Sequence, residues 1–190
     1  MLNGQLPAFT DQDNPASFSP CLITRFLTFT HLYAFNAWLL MSPTTLSYDW
    51  QMNSIPLVEG VCDPRNLQTV LFFTVMIMLT KRCISSVGTE RRQTFLGLLL
   101  LVLPFLPAAN IFLRVGFVVA ERVLYIPSMG SIILTVAGLD QLRQKLRLRS
   151  STLVSTVCLL AAVWSCQTVT RNKVWANRET LFRYVWRERE

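Results

Sequence analysis

Five stretches of this chain carry no Asp, Glu, Lys or Arg: Phe26 to Tyr48, Asn66 to Thr80, Gln93 to Leu113, Val123 to Leu139, and Ser150 to Thr170. About 20 apolar residues in helical form cross the hydrocarbon core of a bilayer, and several of these runs approach that length. The run from Phe95 to Pro107 is almost entirely Leu, Val, Phe and Pro. A water-soluble domain of 190 residues needs one fully buried helix, not four or five. Charged residues make up 15% of the chain and apolar ones 52%, against about 25% charged in a typical soluble domain. The pattern reads as an all-α, polytopic helical membrane protein. It excludes a disordered chain, because the apolar surface is ample. Five cysteines, an odd count, exclude a disulfide-stapled mini-scaffold.

The net charge of +7 could suggest nucleic acid, but its distribution points elsewhere. Lys81, Arg82, Glu90, Arg91 and Arg92 bracket one short loop, and Arg143, Lys145, Arg147 and Arg149 form another. Short cytosolic loops of membrane proteins concentrate Lys and Arg, so both loops read as cytosolic and no nucleic-acid partner is needed. The loop 47–65 sets Asp49, Glu59 and Asp63 against a single Arg and reads as lumenal. Membrane helices are expected near 67–80, 94–113, 128–140 and 152–169, which places the tail 171–190 in the lumen despite its arginines. The polar segment 1–21, with Asp11 and Asp13, reads as lumenal and has no signal-peptide pattern. The membrane domain then spans 22–170.

The segment 22–41 is the ambiguous one. At 100° per residue Thr24, Arg25, Thr28, His31 and Asn36 share one side, while Leu22, Phe26, Phe29, Leu32, Tyr33 and Leu40 take the rest. Its acidic flank favours a helix lying in the interface over a full span, with the polar stripe on the wet side. The same stripe fits a cavity inside a helix bundle.

The chemical anomaly is Arg114 to Gly130. Two apolar stretches flank Glu121-Arg122, Pro127-Ser128 follows, and Pro104 and Pro107 interrupt the helix before it. Together they predict a broken or re-entrant passage on the lumenal side, which is tolerated at membrane depth only where it lines a cavity or is buried in protein. Neighbours on a helix point about 100° apart, so Glu121 and Arg122 do not neutralise each other. Arg114 and Glu121, seven apart, would share a face if the segment were helical. Charge at that depth is costly and marks a functional candidate, and an Arg fork suits phosphate. The bland alternative is an Arg-Glu pair that anchors a loop. Asp49 and Glu59 read as ordinary solvated carboxylates. His31 is the only histidine, and there is no Cys-x-x-Cys, so no metal site is expected. Cys21 and Cys62 would both be lumenal, where a disulfide is chemically possible.

Several blocks resemble one family. They are Gln5-Leu-Pro-Ala-Phe-Thr10, Asp13-Asn-Pro-Ala16, Arg25-Phe-Leu-Thr-Phe29, Asn36-Ala-Trp-Leu-Leu40, Asp49-Trp50 with Ile55-Pro-Leu57, and above all the continuous run from Val115 to Gly130. In order and over nearly the whole chain, they resemble the transmembrane and tetratricopeptide-repeat-containing O-mannosyltransferases. The resemblance implies part of a multi-spanning, GT-C type glycosyltransferase membrane domain in the endoplasmic reticulum membrane. Such enzymes pass mannose from dolichyl phosphate mannose to Ser or Thr of cadherin-type proteins. Residues 171–190 resemble the approach to a tetratricopeptide-repeat domain. Nothing here matches the acidic motif that carries the base in the family, so no catalytic residue is assigned and no cofactor is implied. The chain is expected to be a middle segment, inactive alone. Arg122, Glu121 and Arg114 are the candidate donor-phosphate residues. A non-catalytic membrane anchor or scaffold is the competing reading.

Overall fold

A computed structural model describes residues 9–42, 50, 54–111, 115–175 and 177. Every named element among them is helical: α1 (Pro15–Phe18), α2 (Leu22–Met41), α3 (Arg65–Ser85), α4 (Thr89–Val102), the 3₁₀ turns η1 (Leu103–Ala108) and η2 (Glu121–Leu124), α5 (Tyr125–Lys145) and α6 (Ser150–Val174). Among the described residues the one β-type contact is an isolated antiparallel bridge between Trp50 and Val119.

Three of the helical stretches are long and apolar enough to cross a membrane: Arg65–Ser85, Glu121–Lys145 and Ser150–Lys173. Their hydroxyls do not oppose this. Thr74, Thr80, Thr135, Thr156 and Thr168 each donate to a carbonyl four residues back, at 2.8 Å. These five hydroxyls need no water. Large apolar side chains stay on the outside of these helices, with Leu67, Val70 and Val154 more than half exposed. No part of the apolar window of α6 is buried in protein, and among the described helices α6 touches only α5. Such surfaces are stable against hydrocarbon, not against water.

The expected helix over 94–113 is divided. α4 has 14 residues, which at 1.5 Å per residue reach about 21 Å. Pro104 and Pro107 lie in the turn that follows, η1. A proline has no N–H to give to the helix ladder and clashes with the preceding turn, so the α-helix stops. The chain then turns at Asn110, whose φ is +56°.

α4 and α5 form the closest helix pair. A methyl group on Gly130 would stand 2.5 Å from the Gly97 carbonyl oxygen and 2.5 Å from the Leu101 amide nitrogen. One on Gly97 would stand 2.7 Å from Leu134. Pairing 97 with 134 and 101 with 130 makes the helices antiparallel. It therefore sets the α3–α4 junction and the α5–α6 junction, with their two basic clusters, at the same end. Small residues let backbones approach in lipid, where apolar side chains have no drive to leave their surroundings.

The polar stripe of α2 is not wet. Thr24, Thr28, His31 and Asn36 are all buried, while Leu22, Ile23, Phe26, Trp38 and Met41 face outward. The loop 54–64 meets the stripe at Thr28. The amide of Val58 donates to Thr28 Oγ1 at 3.0 Å, and Val58 itself is wholly buried. The polar side chains share one face as the period requires, with Arg25 half-buried, but Leu32 is buried with them rather than on the outward side, and the solvent assignment reverses because protein, not water, meets that face. Cys21 and Cys62 are both exposed free thiols, so the possible disulfide is not formed.

Candidate functional site

The buried apolar core does not lie between the spanning helices. It gathers Leu32 and Leu39 of α2 with Val118, Val119 and Leu124, and Phe29, Phe35, Trp50, Ile55 and Phe105 pack around them. The segment carrying Glu121 and Arg122 is thus folded down onto α2.

Its path is set by a polar neck. The side-chain amide of Asn14 donates to Asn110 Oδ1 at 3.0 Å and to the Val115 carbonyl at 2.9 Å. Asn110 Oδ1 also accepts from the Val115 amide at 3.1 Å. Asn tolerates the left-handed conformation that position 110 needs, and its oxygen then closes the loop on itself. Next along, a methyl group on Gly116 would stand 2.3 Å from the Phe9 ring, so only glycine fits under it. Residues 115–120 are not helical. The condition for Arg114 and Glu121 to share a helix face is therefore not met. Arg114 and Asp49 lie outside the described residues.

Val119 then bridges Trp50, and the Trp50 indole Nε1 donates to Glu121 Oε1 at 2.9 Å. The Trp50 ring meets Phe35 edge-on, with centroids 5.3 Å apart. Glu121 is half-buried and held; Arg122, next to it, is exposed. Among the described residues Arg122 has neither a hydrogen-bond nor an ion-pair partner. η2 leads without a break into α5, where Pro127 is fully buried and Ser128 Oγ donates to the Tyr125 carbonyl at 2.6 Å. A proline costs least in the first turn of a helix, whose amides have no intrahelical acceptor.

Beside this turn a cavity of about 240 Å³ opens between α2, α3, η1 and the start of α5. Tyr33, Phe72, Met76, Phe105, Ile111 and Leu124 are among its walls. Its two polar side chains are already engaged. Tyr33 donates its hydroxyl proton to the Ala109 carbonyl at 2.6 Å, and the Asn36 amide donates to the Leu32 carbonyl at 2.7 Å. Nothing in these contacts asks for a polar ligand.

A second polar cluster clips the loop 54–64 to the start of α3. The Arg65 guanidinium donates to both oxygens of Asp63 and to the carbonyls of Pro56 and Leu57. Those hydrogen bonds from Arg65 hold the Asp63 carboxyl down at about 2. Glu59 is exposed. Among the described residues no three of His, Cys, Asp and Glu converge as metal ligands do.

The family model described as Protein O-mannosyl-transferase TMTC, DUF1736 matches residues 3–77. Over 185 residues, 96% of this chain, the sequence is 52% identical to Protein O-mannosyl-transferase TMTC1 of Mus musculus. This chain belongs to the TMTC family. It is also 44% identical to TMTC3 of Homo sapiens over 96% of its length, and 40% identical to human TMTC4 over 93%. The chain spans about a fifth of the TMTC1 and TMTC3 proteins, 20% of each, and 24% of TMTC4. No solved structure matches.

Sequence reasoning singled out Glu121 and Arg122 but not what positions them. Trp50 enters the sequence reading only within a block that resembles the family, and its hydrogen bond to Glu121 crosses 71 positions. Asn14 and Asn110 were overlooked. Two asparagines in apolar or proline-rich surroundings are the signal that points to them, because a buried amide must find partners.

Proposed function

We propose that this chain forms part of the lipid-donor side of a GT-C type protein O-mannosyltransferase of the endoplasmic reticulum membrane. In this reading mannose passes from dolichyl phosphate mannose to a Ser or Thr hydroxyl of a cadherin-type protein. The bond from the anomeric carbon to the phosphate oxygen breaks, and the bond to the hydroxyl oxygen forms. Dolichyl phosphate leaves with the electron pair, and the hydroxyl proton goes to a base that no residue of this chain is assigned to supply. Arg122 meets the phosphate and stabilises the charge that grows on it as the sugar leaves, with two parallel N–H···O bonds available from its fork. Glu121, tethered by Trp50, holds the turn. Arg114 is the next cation for the same anion.

One observation carries the reading. Arg122 is an exposed guanidinium, partnerless among the described residues, at the head of a helix long and apolar enough to span a membrane. The names of the relatives, protein O-mannosyl-transferases, support the reaction class, and an exposed cation at the head of an apolar helix supports this role for Arg122. In a full-length family member Arg122→Ala should cost about 2 kcal/mol, roughly thirtyfold in mannose transfer at limiting donor. Arg122→Lys keeps the charge and loses the fork, so it should fall between. Unchanged transfer in Arg122→Ala would remove the assignment. Loss of membrane insertion instead would mark the residue as a loop anchor.

A further inference from the structure

At the end of the helices remote from Arg122 lies a charged surface that the proposed function does not use. The register that sets Gly97 against Leu134 and Leu101 against Gly130 continues to Glu90 level with Gln141. The α3–α4 and α5–α6 junctions therefore stand at one level. Between them they carry eight Lys and Arg against two carboxylates, Glu90 and Asp140. Each carboxylate is already matched: Glu90 with Arg82 at 3.6 Å, and Asp140 with Arg143 at 2.8 Å. The other six cations, Lys81, Arg91, Arg92, Lys145, Arg147 and Arg149, are exposed and have neither a hydrogen-bond nor an ion-pair partner among the described residues.

The helices do not themselves account for where these cations stand. A helix favours positive charge at its C-terminus and disfavours it at its N-terminus. Arg91 and Arg92 nevertheless lie in the first turn of α4, and Arg149 lies immediately before α6. Arg147 has a φ of +54°. It closes α5 by donating its amide to the Gln144 carbonyl at 3.1 Å, while the Leu148 amide donates to the Arg143 carbonyl at 3.0 Å. Glycine is the usual residue at that place, because a Cβ strains the left-handed conformation. An arginine there keeps a guanidinium on the surface at the expense of the backbone. Apolar side chains are interleaved with the charges. Ile84 and Val87 in one junction, and Leu142, Leu146 and Leu148 in the other, are 44–87% exposed.

We infer that this end of the molecule is a docking surface for anionic phospholipid headgroups. The six unmatched cations meet the headgroup oxygens, and the interleaved apolar residues enter the top of the acyl region. Charge complementarity argues for an anion, and two further features argue for a lipid. The junctions join helices long and apolar enough to span a membrane, so their cations stand at the headgroup level of the same bilayer. An acidic protein segment matches the charge but leaves the exposed Ile, Val and Leu in water, whereas a lipid surface takes both. The bias of Lys and Arg toward one side of a membrane needs only their number. It does not need an arginine in a left-handed turn or in the first turn of a helix.

The test places the chain in phosphatidylcholine nanodiscs with a trace of one of two photoreactive lipids, phosphatidylserine or phosphatidylcholine, each with a diazirine at the top of one acyl chain. Both leaflets then carry the probe, so the outcome does not depend on orientation. Phosphatidylserine should label Ile84, Val87, Leu146 or Leu148 roughly tenfold more than phosphatidylcholine does. Leu67, at the other end of α3, should be labelled equally by both. Salt at about 1 M, where the screening length falls to about 3 Å, should shrink the preference. Arg147→Gly removes a cation and relieves the turn. It should lower the preference roughly fivefold, the factor for one cation at an anionic surface, with the melting temperature unchanged or raised. Arg91→Gln combined with Arg92→Gln should lower the preference further, and Lys173→Gln, at the far end of α6, should leave it as it is. Equal labelling by both lipids at the junctions, or a preference that survives both Arg147→Gly and the double variant, would overturn the inference. So would poly-glutamate binding to the chain in pure phosphatidylcholine nanodiscs while phosphatidylserine shows no preference, which would assign the surface to an acidic protein.

Discussion

Asn14 is nearly inaccessible, 1% exposed, and ties residues 96 and 101 positions away. Replacing it with Ala removes both donors and leaves the Val115 carbonyl without its buried partner. Such a group costs about 1–3 kcal/mol when unsatisfied. Asn14→Ala should therefore lower the melting temperature of the chain in nanodiscs, and hydrogen exchange should quicken over 109–120 before it does so in α3. Gly116→Ala should have a similar local effect, because the added carbon meets the Phe9 ring at 2.3 Å and the ring must leave. Phe9→Ala in the same chain should partly rescue it. Glu121 and Arg122 were legible in the sequence because charges in an apolar run stand out. Their supports were not, because Trp50, Asn14 and Asn110 become neighbours only after the chain folds.

At the scale of elements, the α4–α5 contact and the clip over α2 are the two testable joints. Gly130→Ala pushes a methyl group against backbone atoms at 2.5 Å that cannot swing away. It should destabilise the pair by about 1–3 kcal/mol. Gly138, on the same helix, has open space where its methyl would go. Gly138→Ala should be neutral or slightly stabilising, since Ala is the better helix former by about 1 kcal/mol. Thermal melts of the two variants side by side read the difference. The clip depends on pH in a known direction. Asp63 titrates at about 2 in the folded chain, below its ordinary 3.8. The folded state thus binds fewer protons than the unfolded one, and the clip's contribution is full above about pH 4 and fades as pH falls toward 2. Hydrogen exchange over 54–64 should be flat from pH 8 to 5 after correction for the intrinsic rate. Arg65→Ala should loosen the loop at every pH, because it also frees the carbonyls of Pro56 and Leu57.

For the whole molecule, the antiparallel order of α4 and α5 groups the two basic junctions at one end, opposite the end that holds Glu121, Arg122 and the loop 54–64. The excess of Lys and Arg in those junctions sets the expected orientation. Acceptor sequons for glycosylation engineered beside Glu59 and after Glu190 should be modified in microsomes, and one beside Gly88 should not. Modification beside Gly88 would invert the orientation and put Arg122 on the cytosolic face. The near-absence of burial along α6 belongs to this scale as well: among the described helices it touches only α5.

Hydropathy and charge spacing alone determined that this chain is helical, that it belongs in a membrane, and that the prolines before Arg114 break a helix. Each of these follows from local rules: a charge-free run of sufficient length, and a ring that cannot donate a hydrogen bond. The family blocks were equally legible, because they are contiguous. Only the tertiary structure decided which way the polar face of α2 looks. Periodicity gives two faces and does not say which one meets protein, and here protein takes the polar one, with the loop 54–64 bonded to it at Thr28. The same holds for the cavity and for the tether on Glu121, both of which join residues from distant parts of the chain. A sequence records such pairings only as unremarkable single residues, and the energy that selects them exists only once the surfaces are brought together.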